Sequence, residues 1–196
     1  MKGIKTVSIL AGSCTTLFVA LAGLTSVLKI TIPSLVFGFL LALSFILLMV
    51  CVHYFHENNT QLYSLLGVVF AVMYGLLICF NYYLQLNMIT QMIPNIDLLA
   101  MDNPRSIMWV IEMLGYFFMG LSTLAVIPVF GASLIEKLIK AIFLLNGIMG
   151  IGGLIAYTAG MDIKIMFTGL IVWNIIMPIG AGLLTYYFIS REPAEA

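Results

Sequence analysis

Glu112 is the one acid that falls well inside a long apolar run of this chain. An ionisable group in hydrocarbon is costly to desolvate, so it marks a ligand, a transferred proton or a partner side chain. At helical spacing, Trp109, Tyr116, Gly120 and Thr123 share its face, a polar and small stripe on an otherwise greasy helix. Arg105, seven residues earlier, lies on the same face two turns above it. The preceding apolar run ends in Asn81, Tyr82, Tyr83 and Gln85, which belong to the same leaflet. Glu112, Asn81 and Gln85 can therefore converge on one outward-facing polar site. Such a site suits a cation, a small ligand or an acid that takes up and releases a proton. The competing reading is a structural acid that hydrogen-bonds the preceding span, or pairs with Arg105, and locks two helices together. Both readings stand on the sequence.

A second feature lies in the last apolar run. Trp173 and Asn174 precede Pro178 and Gly180. Proline has no N–H and crowds the carbonyl four residues back, here that of Asn174. A freed carbonyl and an amide side chain then coincide near mid-membrane, a device that binds ions and solutes in some carriers. Neighbouring helices can equally re-satisfy such groups without any ligand.

Other chemistry has less support. Asn146 reads as interhelical glue. Cys51, His53, His56 and Glu57 gather at one end of the second run, but their spacing matches no familiar zinc pattern. Met88, Met92, Met101 and Met108 surround the longest connection; methionine is also a routine filler of membrane helices. Both histidines sit at membrane edges, which leaves a Ser/His/Asp triad without its base. No glycine-rich phosphate loop appears. No cofactor or metal is expected, and no nucleic-acid partner.

These residues must be positioned by helices that cross a bilayer. Of 196 residues, 63% are apolar and 8% charged, with a net charge of zero. The apolar residues form runs long enough to cross a hydrocarbon core of roughly 30 Å. Backbone polar groups cannot stay unpaired there, and nothing alternates as a membrane strand would, so the runs are helices. The fold class expected is an all-α membrane protein: a compact bundle of six transmembrane helices with no soluble domain, one polytopic unit over 1–196. The spans are expected at about 7–28, 33–54, 62–86, 105–130, 138–159 and 165–189. Asn103-Pro104 reads as the cap of span four, Ser133-x-x-Glu136 as a capping box for span five, and Asp162 as the cap of span six. The run after Lys2 and Lys5 is too long for a signal peptide and is read as a retained span. Three cysteines at unrelated depths argue against disulfides.

Six spans put both termini on one side. That side holds Lys2, Lys5, Lys137, Lys140 and Arg191, the other Lys29, Arg105 and Lys164. The asymmetry favours cytoplasmic termini in a plasma or inner membrane. Small-residue stripes at Gly12/Thr16/Ala20, Ser34/Gly38/Ala42 and Gly67/Ala71/Gly75 read as internal helix packing before a dimer face. The leading functional expectation is a carrier or ligand-binding protein for a small solute or ion. Its pocket is formed by spans three, four and six: Glu112 at its centre, Asn81, Gln85, Asn174 and Arg105 as polar groups, Trp109, Tyr116 and Trp173 as walls. The alternatives are a non-catalytic subunit or regulator of a membrane complex, including a homo-oligomer, and a lipid-modifying enzyme. The enzyme is disfavoured, because acid–base work usually needs two positioned titratable groups.

Overall fold

Apolar runs of this length have one way to satisfy their backbone in lipid, and the structure takes it six times. The computed structural model describes residues 2–56, 58–91, 99, 103 and 105–192, with the backbone alone at 2, 58 and 163–167. Glu57, Met92, Asp97, Met101, Asp102 and Pro104 lie outside the described residues. The helices are α1 (Lys2–Val27), α2 (Thr31–Phe55), α3 (Gln61–Thr90), α4 (Ile107–Ala125), α5 (Leu134–Thr158) and α6 (Ile163–Ser190). Short 3-10 turns at Asn58–Thr60 and Ile127–Val129 complete the described elements, with no strand among them. All six helices are long and apolar enough to cross a membrane. The chain is an all-α membrane protein folded as a compact bundle.

Local chemistry sets the helix ends. α1 stops where Lys29 turns left-handed (φ 57°) and the Ile30 N–H returns to the Thr25 carbonyl at 2.8 Å. α5 stops the same way at Gly160 (φ 65°), where only glycine avoids a steric cost. It starts on the capping box: Ser133 Oγ accepts from the Glu136 N–H, while Glu136 Oε2 accepts from the Ser133 N–H at 2.9 Å.

The start of α4 differs from the sequence expectation. Its cap is Ser106, not Asn103; the Ser106 hydroxyl accepts from the Trp109 N–H. Asn103 instead folds its side-chain oxygen onto the Arg105 N–H (3.0 Å) and its carbonyl onto the Ser106 N–H (3.0 Å). Both residue types favour caps, and Asn103 here spends its acceptors on the turn before the helix. Glu112 therefore lies five residues into α4, or about 7 Å along its axis.

Each helix packs against its chain neighbours, and α1 closes on α6, so the six form a ring. Leu10, Leu17, Leu24, Leu76, Ile148, Ile155 and Ile171 point outward, as a surface solvated by lipid requires. The polar residues turn inward: Ser8, Thr15, Asn81, Glu112, Ser122, Thr123 and Asn146 are all buried. Every fully buried side-chain nitrogen and oxygen among the described residues has a partner.

The small-residue stripes are occupied by internal contacts. A Cβ at Gly12 would strike Thr185, at Gly38 the ring of Tyr82, at Gly67 Val126 and at Gly75 Ile46. Ser122 Oγ also donates to the Gly67 carbonyl at 2.7 Å, which ties α4 to α3. Between α4 and α5 the backbones themselves meet: a Cβ at Gly150 would lie 2.6 Å from the Tyr116 carbonyl oxygen. Asn146 acts across the same seam, its amide donating to Thr123 Oγ1 at 2.9 Å. α6 runs unbroken through Pro178, so it is a continuous helix and not a discontinuous one of the carrier kind.

Candidate functional site

A ring of six helices leaves an interior that side chains must fill or leave open. Five helices contribute to one opening, a cavity of about 170 Å³ that has Glu112 in its wall. It lies in the half of the bundle away from the termini, between the ends of α1 and α3, the starts of α2 and α4, and the first half of α6.

Glu112 is 4% exposed, and its carboxylate is held by three neutral donors. Asn81 Nδ2 donates to Oε2 at 2.7 Å, while the Tyr82 and Tyr116 hydroxyls donate to Oε1 at 2.7 and 2.9 Å. Asn81 is aimed from both sides. Its amide nitrogen also donates to the Met108 carbonyl (3.2 Å), and its oxygen accepts from Gln85 Nε2 (3.0 Å). Tyr82 reaches Glu112 because its ring lies over Gly38, where any larger side chain would displace it.

A carboxylate has about four acceptor sites. Among the described residues two donors fill Oε1 and one meets Oε2, which leaves one acceptor site, on Oε2. The charge itself has no cationic partner among the described residues. Among the described residues the single ion pair joins Lys5 to Glu192 at 2.6 Å, at the far end of the bundle. A carboxylate out of water and unpaired with a cation is unfavourable unless a proton or a bound cation accompanies it.

The rest of the cavity wall is aromatic and weakly polar. Both tryptophans of the chain, Trp109 and Trp173, line it with Tyr74, Tyr82 and Tyr116. Tyr74 is 1% exposed. Asn174 donates its amide to the Leu170 carbonyl (2.9 Å) and presents its side-chain oxygen toward Gly23 of α1.

The sequence-derived residues thus divide. Glu112, Trp109, Tyr116, Trp173 and Asn174 line the cavity; Asn81 binds Glu112 directly. Gln85 stands one layer behind and orients Asn81. Arg105 is exposed in the turn before α4 and does not meet Glu112. Its expected position, two turns above on the same face, requires helix at 105, and the helix begins only at Ile107. Tyr82 belongs to the polar end of span three without being expected in the pocket, and Tyr74 and the walls from α1 and α2 carry no such expectation. The spacing of Tyr74 and Tyr82 on α3, eight residues apart with Asn81 beside them, is the signal that carries them.

The histidines at the opposite end hold helices together. His53 Nδ1 is hydrogen-bonded to Ser64 Oγ (2.8 Å), and His56 bridges the Val52 carbonyl (2.9 Å) and the Tyr187 hydroxyl (3.1 Å). No group of three metal-binding side chains occurs among the described residues.

No protein-family model matches the chain, and no curated protein or solved structure is similar to it.

Proposed function

We propose that this chain binds, and carries across the membrane, a small cationic solute whose charged head takes the open acceptor site of Glu112. The observation that carries the reading is the buried carboxylate that faces a cavity lined, among the described residues, by no basic side chain. Its three neutral donors suit an anion, so the site is built for negative charge. A structural lock between α3 and α4 needs only hydrogen bonds, which an amide supplies at lower desolvation cost.

The walls favour an organic ammonium over a metal ion. Calcium or magnesium asks for about six or more oxygens, with water among them. Glu112 is the one acid among the described lining residues; the other polar groups there are the neutral side chains of Ser26, Ser34, Asn174 and the tyrosines, set among indole and phenol faces. Aromatic faces attract cations within about 6 Å, most strongly where both are desolvated. The titratable groups that touch Glu112 among the described residues are the Tyr82 and Tyr116 hydroxyls, and both spend their hydrogens on its Oε1.

The test is thermal unfolding of the detergent-purified protein with methylammonium or tetramethylammonium, against sodium and potassium chloride at equal ionic strength. A ligand at a hundred times its Kd adds about 2.7 kcal/mol of stability. For a chain of this size that raises the unfolding temperature by roughly 5 °C or more. Ammonium salts that do no more than the metal chlorides would sink the reading.

A further inference from the structure

The Glu112 cavity is too small for anything beyond a head group, since pockets for drug-sized ligands run to roughly 300–1,000 Å³. A second cavity of about 380 Å³ adjoins it, between α4, α5 and the first half of α6. Its lining is apolar: Met113, Met149, Ala156 and Leu170 meet bare helix at Gly152 and Gly153. The one amide among its described lining residues, Asn146, has its nitrogen committed to Thr123. A Cβ at Gly152 or Gly153 would meet nothing within 4 Å, so this side of α5 borders open space.

Tyr116, Leu170 and Trp173 line both cavities. The partition is therefore made of side chains, with the Tyr116 and Trp173 rings 4.9 Å apart at its centre. Side chains rotate where backbone cannot yield. If Tyr116 turns aside, Glu112 Oε1 keeps the Tyr82 hydroxyl, so the carboxylate stays held while the way opens.

We infer that the ligand is an amphiphilic organic cation, with its ammonium head at Glu112 and an apolar body lodged in the α4–α5–α6 cavity past Tyr116 and Trp173. This rests on the cation reading above and adds the substrate class. A charge-bearing pocket without room beside a roomy one without charge fits one ligand that has both parts. Among the described residues the apolar cavity gives no counter-charge of its own, and the acidic one gives no space for a body.

The experiment compares two ligands with the same head, tetramethylammonium and benzyltrimethylammonium, by calorimetric titration of the purified protein. Withdrawing the phenyl ring from water is expected to tighten binding by tenfold or more. Gly153→Leu, whose side chain has open space to enter, should erase that advantage and leave tetramethylammonium affinity unchanged. Gly152→Leu serves the same purpose should the first variant unfold early. Equal affinity for the two ligands in the wild type, or an advantage that survives a folded leucine variant, would overturn the inference and leave the cavity to bilayer lipid. Failure of the wild type to bind tetramethylammonium at all strikes the cation reading itself, so the two failures are told apart.

Discussion

Glu112→Gln should fold and should bind tetramethylammonium on the order of a hundredfold more weakly than the wild type. Removing one partner of a buried ion pair costs about 3–5 kcal/mol, and each 1.4 kcal/mol is tenfold in affinity. Nothing else nearby can replace the charge, because no other acid among the described residues lines the cavity. The substitution keeps the size of the side chain. Its amide oxygen can still accept from Tyr82 and Tyr116, whose hydroxyls both point to Oε1. Its amide nitrogen would face the Asn81 donor, a mismatch of about 1–3 kcal/mol, offset in part by the charge that no longer needs burial. Calorimetric titration separates these effects, since it reads affinity on protein shown to be folded. Undiminished binding in Glu112→Gln would reduce Glu112 to a structural link between α3 and α4.

Gly150→Val should destabilise the bundle more than any neighbouring glycine substitution. Its first added carbon would sit 2.6 Å from the Tyr116 carbonyl oxygen and 3.2 Å from the Gly120 Cα, both backbone atoms. Backbone cannot swing aside, so α4 and α5 must part, at a cost of about 1–3 kcal/mol for such overpacking. The apparent unfolding temperature then falls by roughly 2–12 °C. Because Glu112 and Tyr116 ride on α4, the same shift disturbs the carboxylate's hydrogen bonds. Gly152→Ala is the control: nothing lies within 4 Å of its new carbon, and helix propensity favours alanine by up to about 1 kcal/mol. Thermal scans that rank the two variants equal would contradict the close α4–α5 approach.

How much of this was legible beforehand follows from what each feature depends on. The six helices rest on apolar run length, a local property, and so does the Ser133/Glu136 capping box. Glu112 also stands out locally, as the lone acid in a greasy run, and with it the neighbouring Asn81. What the sequence could not deliver was ring closure. The packing of α1 on α6 brings Gly23 to Asn174, and the seating of Tyr82 over Gly38 brings α2 to the site. Neither contact follows from periodicity, so the pocket expected from three spans has walls from five helices. Arg105 was misplaced for a smaller reason, the choice between two good caps, Asn103 and Ser106. Gly147, Gly150, Gly152 and Gly153 all fall in α5, but only packing separates the first two, which seat α4, from the last two, which border a cavity.

A cation seated on Glu112 takes the place of the proton that would otherwise accompany the buried carboxylate, so the two compete for one site. The most direct measurement is tetramethylammonium affinity of the wild type across a pH series, from about pH 8 down to about pH 4, where a free glutamate titrates. The account predicts that affinity falls as protons fill the carboxylate, with protons released to a weakly buffered medium, up to one for each cation bound. It also predicts that Glu112→Gln shows neither effect. Binding that holds the same affinity across the whole series and releases no protons would place the cation somewhere other than Glu112.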